Sequence, residues 1–244
     1  SSVRKSVALA LSDFFVVSIN NLAVEWVGPA IGEYWDILNR NAFGSFRELI
    51  EEITLNPAMG VFLNTRGNRK ANPNTGRVPD ENYGREIMQL MSIGLFELNM
   101  DGSLKLSGGE PIETYTNDDV TGIAKVFTGY EFDFTNIGTT TVQGNFELAD
   151  PDWVRNPMTS DVTRWRWRPG NRAGDAFHSE AEKSFLGLTI PAGTNAADSL
   201  AMALDHLVAH PNVGPFFGKQ MIQRLVTSNP SSSYVQRVAE VFEN

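Results

Sequence analysis

The chain has 244 residues and carries 20 Lys and Arg against 29 Asp and Glu, a formal net charge of −9. That balance argues against nucleic acid as a partner, because holding phosphates needs a basic face. There is no cysteine, which excludes disulfides, iron–sulfur clusters and a thiol nucleophile. The longest apolar run, residues 7–19, is interrupted by Ser12, Asp13 and Ser18 and falls short of a membrane span.

The first third reads as helices joined by short links. Apolar spacing predicts a helix over residues 3–21, with Val7, Leu11, Phe14, Phe15 and Ile19 facing a core. A second runs from Pro29 to Leu38 with Ile31, Tyr34 and Trp35 on one side. A third spans residues 43–54 with Phe46, Leu49, Ile50 and Ile53 as its stripe. Pro57 suits the first turn of a short fourth helix through Leu63. Residues 64–78 then change character, with Asn64, Asn68, Asn72 and Asn74 among glycines and basic residues. So few apolar groups cannot fold on their own, so contacts with the following helix are expected to order this loop.

That following stretch, residues 79–98, is where the chain concentrates its polar signals. It reads as a helix that Gly94 stops, with Tyr83, Ile87, Leu90 and Met91 on one face. Asn82 and Glu86 lie one turn apart beside that face, and Glu81 and Arg85 form a second such pair. Two readings stand: a structural network of hydrogen bonds and ion pairs, or a site lined by Asn82 and Glu86. On the second, Glu86 is the candidate catalytic carboxylate, and Asn82, Arg85, Tyr83 and Asn68 are candidate binding residues.

Residues 98–106 read as a hairpin turning at Asp101-Gly102. Asn99, Asp101 and Ser103 alternate as at the start of a calcium loop, but the acidic ligand needed downstream is absent, which favours the turn. Thr116 is a candidate N-cap for a helix carrying Val120, Ile123, Ala124 and Phe127. Residues 129–170 are irregular. The alternation Arg164-Trp165-Arg166-Trp167-Arg168 fits a half-buried strand, and also a stacking surface for sugars or bases. Helices return over residues 198–209, 211–226 and 234–242. His206 and His210 are four apart, yet the glutamate of a zinc protease motif does not follow His206 and a third ligand is missing. His178 differs: it lies in a loop among Asp175, Glu180 and Glu182, and is the second candidate catalytic residue.

Several of these segments together resemble one family. They are residues 56–60 (Asn-Pro-Ala-Met-Gly), 80–86 (Asp-Glu-Asn-Tyr-Gly-Arg-Glu) with Leu90 and Ile93-Gly94-Leu95, and Tyr115-Thr116 with Asp119-Val120. To them add Phe127-Thr-Gly-Tyr130, the run from His178 to Gly187, and Ala209-His-Pro211 with Leu225-Val226. In that order they are similar to the large bacterial family known as domain of unknown function 1800. The resemblance implies an exported protein, periplasmic or extracellular, that is a portion of a longer chain. It implies no activity. The family usually has His-Asp where this chain has His178-Ser179, a departure that puts catalysis here in doubt.

The expectation is therefore a mainly α, helical bundle-like single domain over residues 1–244, with a small extended or β-containing insertion at about 98–190. Two function classes compete. One is a binding or assembly protein whose partners are other protein chains or a surface glycan. The other is an exported metal-assisted hydrolase, with Glu86 and His178 in one polar pocket and Asn82 orienting. No particular metal or cofactor is implied.

Overall fold

The computed structural model describes residues 1–135, 137, 139–142, 145–148, 151–165 and 177–243. Among them the chain is mainly α, with strands confined to three short antiparallel hairpins. Helix α1 (Ser2–Ser12) lies on α2 (Val27–Arg40), and α3 (Phe46–Leu55) and α4 (Pro57–Phe62) follow. Ser45 caps α3 and Asn56 caps α4, whose first residue is Pro57, so the sequence places each helix start in the expected way. The predicted α3 stripe of Phe46, Leu49, Ile50 and Ile53 is buried in full.

Helix α1 is shorter than its apolar spacing predicts. It stops at Ser12, Asp13 takes the C-cap, and Ile19 ends up exposed in a separate single turn. Phe14 and Phe15 instead turn into an aromatic cluster with Phe46, Phe216, Phe217 and Phe242, with centroid separations of 4.8 to 6.3 Å. The Tyr34 hydroxyl donates to the Phe15 carbonyl beneath it. This cluster joins α1 and α3 to the C-terminal helices α8 (Val213–Leu225) and α9 (Ser232–Phe242).

The central helix, α5 (Asn82–Gln89), is also shorter than predicted. Tyr83, Ile87, Met88 and Met91 are buried, but Leu90, the C-cap, is exposed. Gly94 makes the turn at φ +73, where a Cβ would sit 2.7 Å from the Phe216 ring, so both the backbone and its neighbour require glycine.

Next comes a three-segment meander: residue 96 bridges 113, 98 bridges 104, and β1 (Leu106–Ser107) pairs with β2 (Glu110–Pro111). The Asp101 carboxylate accepts from the backbone and hydroxyl of Ser103, closing the predicted turn. Helix α6 (Asn117–Ala124) opens with a full capping box between Thr116 and Asp119. Hairpins β3 (Thr139–Val142) with β4 (Asn145–Leu148) and β5 (Lys183–Phe185) with β6 (Leu188–Ile190) complete the extended part before α7 (Ala196–Val208). No described helix is long and apolar enough to cross a membrane.

Candidate functional site

The polar residues around α5 fall into two sets. At its start, Asn68 works as a clasp. Its amide nitrogen donates to the carbonyls of Asp80 and Phe127, both at 3.2 Å, and its amide oxygen accepts from Asp80 N–H at 2.9 Å. Its own carbonyl accepts from Gly129 N–H at 2.8 Å. Asp80 passes the connection on: its carboxylate accepts from Asn82 N–H at 2.8 Å, satisfying one free donor of the helix start. Asn64 reaches the same carboxylate. Arg66 pairs with Glu131, and its guanidinium lies 4.3 Å from the Phe132 ring centroid. The loop of residues 64–78 is thus held by Asp80, on the approach to α5, and by the segment after α6.

Asn68 has every polar atom bonded within the protein. Tyr83 is in the core, its ring edge-on to Phe127 and its hydroxyl 2.7 Å from Thr54 Oγ1. Asn82 is exposed, and Arg85 pairs with Glu81 at 3.3 Å on the surface.

Glu86 stands apart from this network. Its Oε2 is buried with no hydrogen-bond partner among the described residues, and burial pushes its pKa above the usual carboxylate range while Arg85 pulls the other way. Its charge is also felt by Tyr115, whose hydroxyl donates to Gln89 at 2.9 Å.

His178 occupies a different place. The residue is 8% exposed, and Nδ1 lies 2.8 Å from the Thr128 carbonyl. A carbonyl only accepts, so Nδ1 carries the proton and Nε2 keeps its lone pair. That buried Nε2 has no hydrogen-bond partner among the described residues. Thr128 Oγ1 accepts from Ser179 N–H at 2.8 Å and donates to the Lys125 carbonyl. Gly129, at φ +84, lets the backbones close, since a Cβ there would lie 2.6 Å from His178 N. Burial holds the imidazole pKa below its ordinary value. The Thr128 bond opposes this, Lys183 adds to it, and Glu180 opposes it.

The structure therefore links Asn82, Asn68 and His178 through Asp80 and residues 127–129. It shows no hydrogen bond, ion pair or resolved charge interaction between Glu86 and His178 among the described residues.

Lys183 was not singled out from spacing, yet it is fully buried at 0% exposure. The signal was available: in the strand Lys-Ser-Phe, alternation puts Lys183 on the same face as buried Phe185. Among the described residues its Nζ makes one hydrogen bond, 3.4 Å to the Ala181 carbonyl. Burial lowers its pKa first, Lys125 lowers it further and Glu180 opposes both.

The remaining candidates are structural. His206 Nε2 donates to the Leu186 carbonyl at 2.8 Å, and His210 Nδ1 accepts from Asn212 N–H at 3.1 Å. No group of three His, Asp or Glu among the described residues could hold a metal ion. Trp165 is buried, with its indole donating to the Thr159 carbonyl, and Arg164 pairs with Asp133. Arg166, Trp167, Arg168 and Asp175 lie outside the described residues.

Asn212 is a second clasp that spacing did not reveal. It is 2% exposed; its amide nitrogen donates to the carbonyls of Ile93 at 2.6 Å and Phe96 at 2.9 Å, and its oxygen accepts from Leu98 N–H at 2.6 Å. It secures the turn after α5 as Asn68 secures the approach to it.

The His178 loop, and the partners Asp80, Phe127, Gly129 and Ile93 of the two clasps, fall on the segments that carry the resemblance noted above. No curated protein and no solved structure matches the chain. The model of a family described as protein of unknown function (DUF1800) matches residues 1–244, and the chain belongs to that family.

Proposed function

We propose that the chain is an exported bacterial binding and assembly protein that engages another protein through the meander of residues 95–114. One observation carries the reading. Leu95, Phe96, Leu104 and Leu106 are all exposed on this small sheet, with Leu90 exposed before the turn that leads into it. Clustered apolar side chains on one short unit mark a contact surface more than scattered ones do. Glu110 and Glu113 are exposed on the same unit and the chain as a whole is acidic, so the fitting partner pairs apolar side chains with basic ones.

The test is a photo-crosslinker placed at Leu106 in cells exporting the full protein. The captured partner is then purified and its affinity measured. L104D/L106D should lower that affinity by at least tenfold, a loss of about 1.4 kcal/mol or more. Equal binding by the variant and the parent protein overturns the reading.

A second reading, hydrolysis with His178 as general base, is favoured by the free Nε2 lone pair held in a fixed tautomer. It ranks second because no hydrogen bond, ion pair or resolved charge interaction joins His178 to Glu86, its expected partner, among the described residues.

A further inference from the structure

A groove opens on the side of the molecule where the start of α3, the connection from α7 to α8 and the end of α9 meet. It encloses about 630 Å³, within the size range of sites that hold small ligands or a few residues of a peptide. Phe46, Val208, Pro211 and Phe242 give it apolar walls, and the Phe46 and Phe242 rings meet edge-to-face with centroids 5.5 Å apart.

The charge balance of the groove and its rim is acidic. The Arg47 guanidinium is already shared, with Nε 2.6 Å from Asp205 and a second nitrogen on Glu51. Glu243, the exposed C-cap of α9, lies against the first turn of α8. Its Oε1 is 2.9 Å from where a Cβ would sit on Gly214, so the bare glycine makes room for the carboxylate. The start of α8 favours a negative charge there, but Glu243 has no hydrogen bond or ion pair from its side chain among the described residues. One guanidinium thus stands against the three carboxylates of Glu51, Asp205 and Glu243. His210 adds no positive charge at neutral pH, because burial holds its pKa below the ordinary value; Glu97 opposes this, and His206 and Lys105 add to it. Its Nδ1 accepts from Asn212 N–H at 3.1 Å, so Nε2 carries the proton and is a donor. The groove also adjoins the meander. Asn212, which follows groove-lining His210 and Pro211, is the residue whose amide holds Ile93, Phe96 and Leu98.

We propose that this groove seats a basic segment of the partner protein, with a lysine or arginine side chain laid along Phe46 and Phe242, its cation on Glu243 and a backbone carbonyl on His210 Nε2. The source of the segment rests on the contact surface proposed above, and the groove accounts for the basic half of that partner's chemistry. A methylene stem suits the apolar walls, and a cation suits both aromatic rings and the carboxylate. An acidic segment meets like charge instead.

The probe is the capped pentapeptide acetyl-Ala-Leu-Lys-Leu-Ala-amide, titrated into the full chain. Binding is followed on the amide NMR signals of residues 44–47, 208–210, 212–214 and 242–243, which should shift saturably. Norleucine in place of the probe's lysine keeps the stem and loses the charge. It should bind at least threefold more weakly, the scale of a partly exposed ion pair with an aromatic contact. E243Q should weaken the lysine peptide by a similar factor and leave the norleucine peptide unchanged. No saturable shift at the groove, equal binding of the two peptides, or equal binding of the lysine peptide by E243Q each overturns the site. Butylammonium binding as tightly as the lysine peptide overturns a peptide as its occupant. The lysine-to-norleucine ratio is read on the parent protein, so a misfolded E243Q cannot rescue the proposal. If the lysine peptide binds here while the crosslinker at Leu106 captures nothing, the meander surface fails and the groove stands. If Leu106 captures a partner whose affinity E243Q leaves unchanged, the groove fails and the surface stands.

Discussion

The clasps at the two ends of α5 and the cage around His178 both bury polar side chains, but they leave them in opposite conditions. Asn68 and Asn212 spend each amide atom on backbone groups, and both end with nothing to offer a ligand. His178 spends one nitrogen on a carbonyl and keeps the other, and Lys183 keeps most of its donors. The difference separates scaffold from available chemistry. A saturated buried amide fixes where chain segments meet, whereas an unsaturated buried group carries a cost that an occupant can relieve.

The sharpest way to break the comparison is Asn212→Ala. It strands the carbonyls of Ile93 and Phe96 and the N–H of Leu98, and should cost about 4 kcal/mol in urea unfolding. Asn68→Ala strands the Phe127 carbonyl and the Asp80 backbone, for about 3 kcal/mol. It should also raise amide exchange across residues 64–78, because that loop has few apolar contacts of its own. If exchange there is unchanged, the clasp is not what orders the loop.

His178 gives a pH-dependent signature. Its folded pKa is below the ordinary 6.5, so the unfolded chain binds more protons as pH falls below that value. Stability contributed by the neutral ring is present above 6.5 and is lost as pH drops through the folded pKa. Urea midpoints of the parent should fall across that window, and those of His178→Phe should fall less.

Glu86→Gln should have the smallest effect. Its folded pKa is raised, so ionisation above 4.5 works against folding. Removing the charge should leave stability at neutral pH within about 0.5 kcal/mol of the parent, on the stabilising side. A large loss would mean that Glu86 belongs to a network after all.

Much of the scaffold was legible because it rests on local rules. The α3 stripe, the Thr116 capping box, the Asp101-Gly102 turn and Pro57 at a helix start each depend on residues within a few positions. The errors arose where tertiary contacts override local spacing. Phe14 and Phe15 leave the helical register to join an aromatic cluster built by α3, α8 and α9, and Leu90 ends α5 exposed, ahead of the Gly94 turn that packs on Phe216. The site was legible in part. Asn68 and His178 stood out by type and setting and do lie on one hydrogen-bonded path, but spacing along α5 could not show that Glu86 keeps a buried oxygen with no hydrogen bond among the described residues. Lys183 was hidden by its charge, which reads as surface until strand alternation is applied.

The Asn212 clasp also constrains the order in which the protein can be made. It joins residues 114 to 119 positions apart. At a synthesis rate of roughly 10 residues per second, the turn after α5 waits on the order of 10 s for the side chain that completes it. In that interval the Ile93 and Phe96 carbonyls must stay with water, beside the Leu95–Phe96 apolar pair already outside the ribosome. A chaperone that covers residues 93–98 early would protect the nascent chain where it is most open to mispairing.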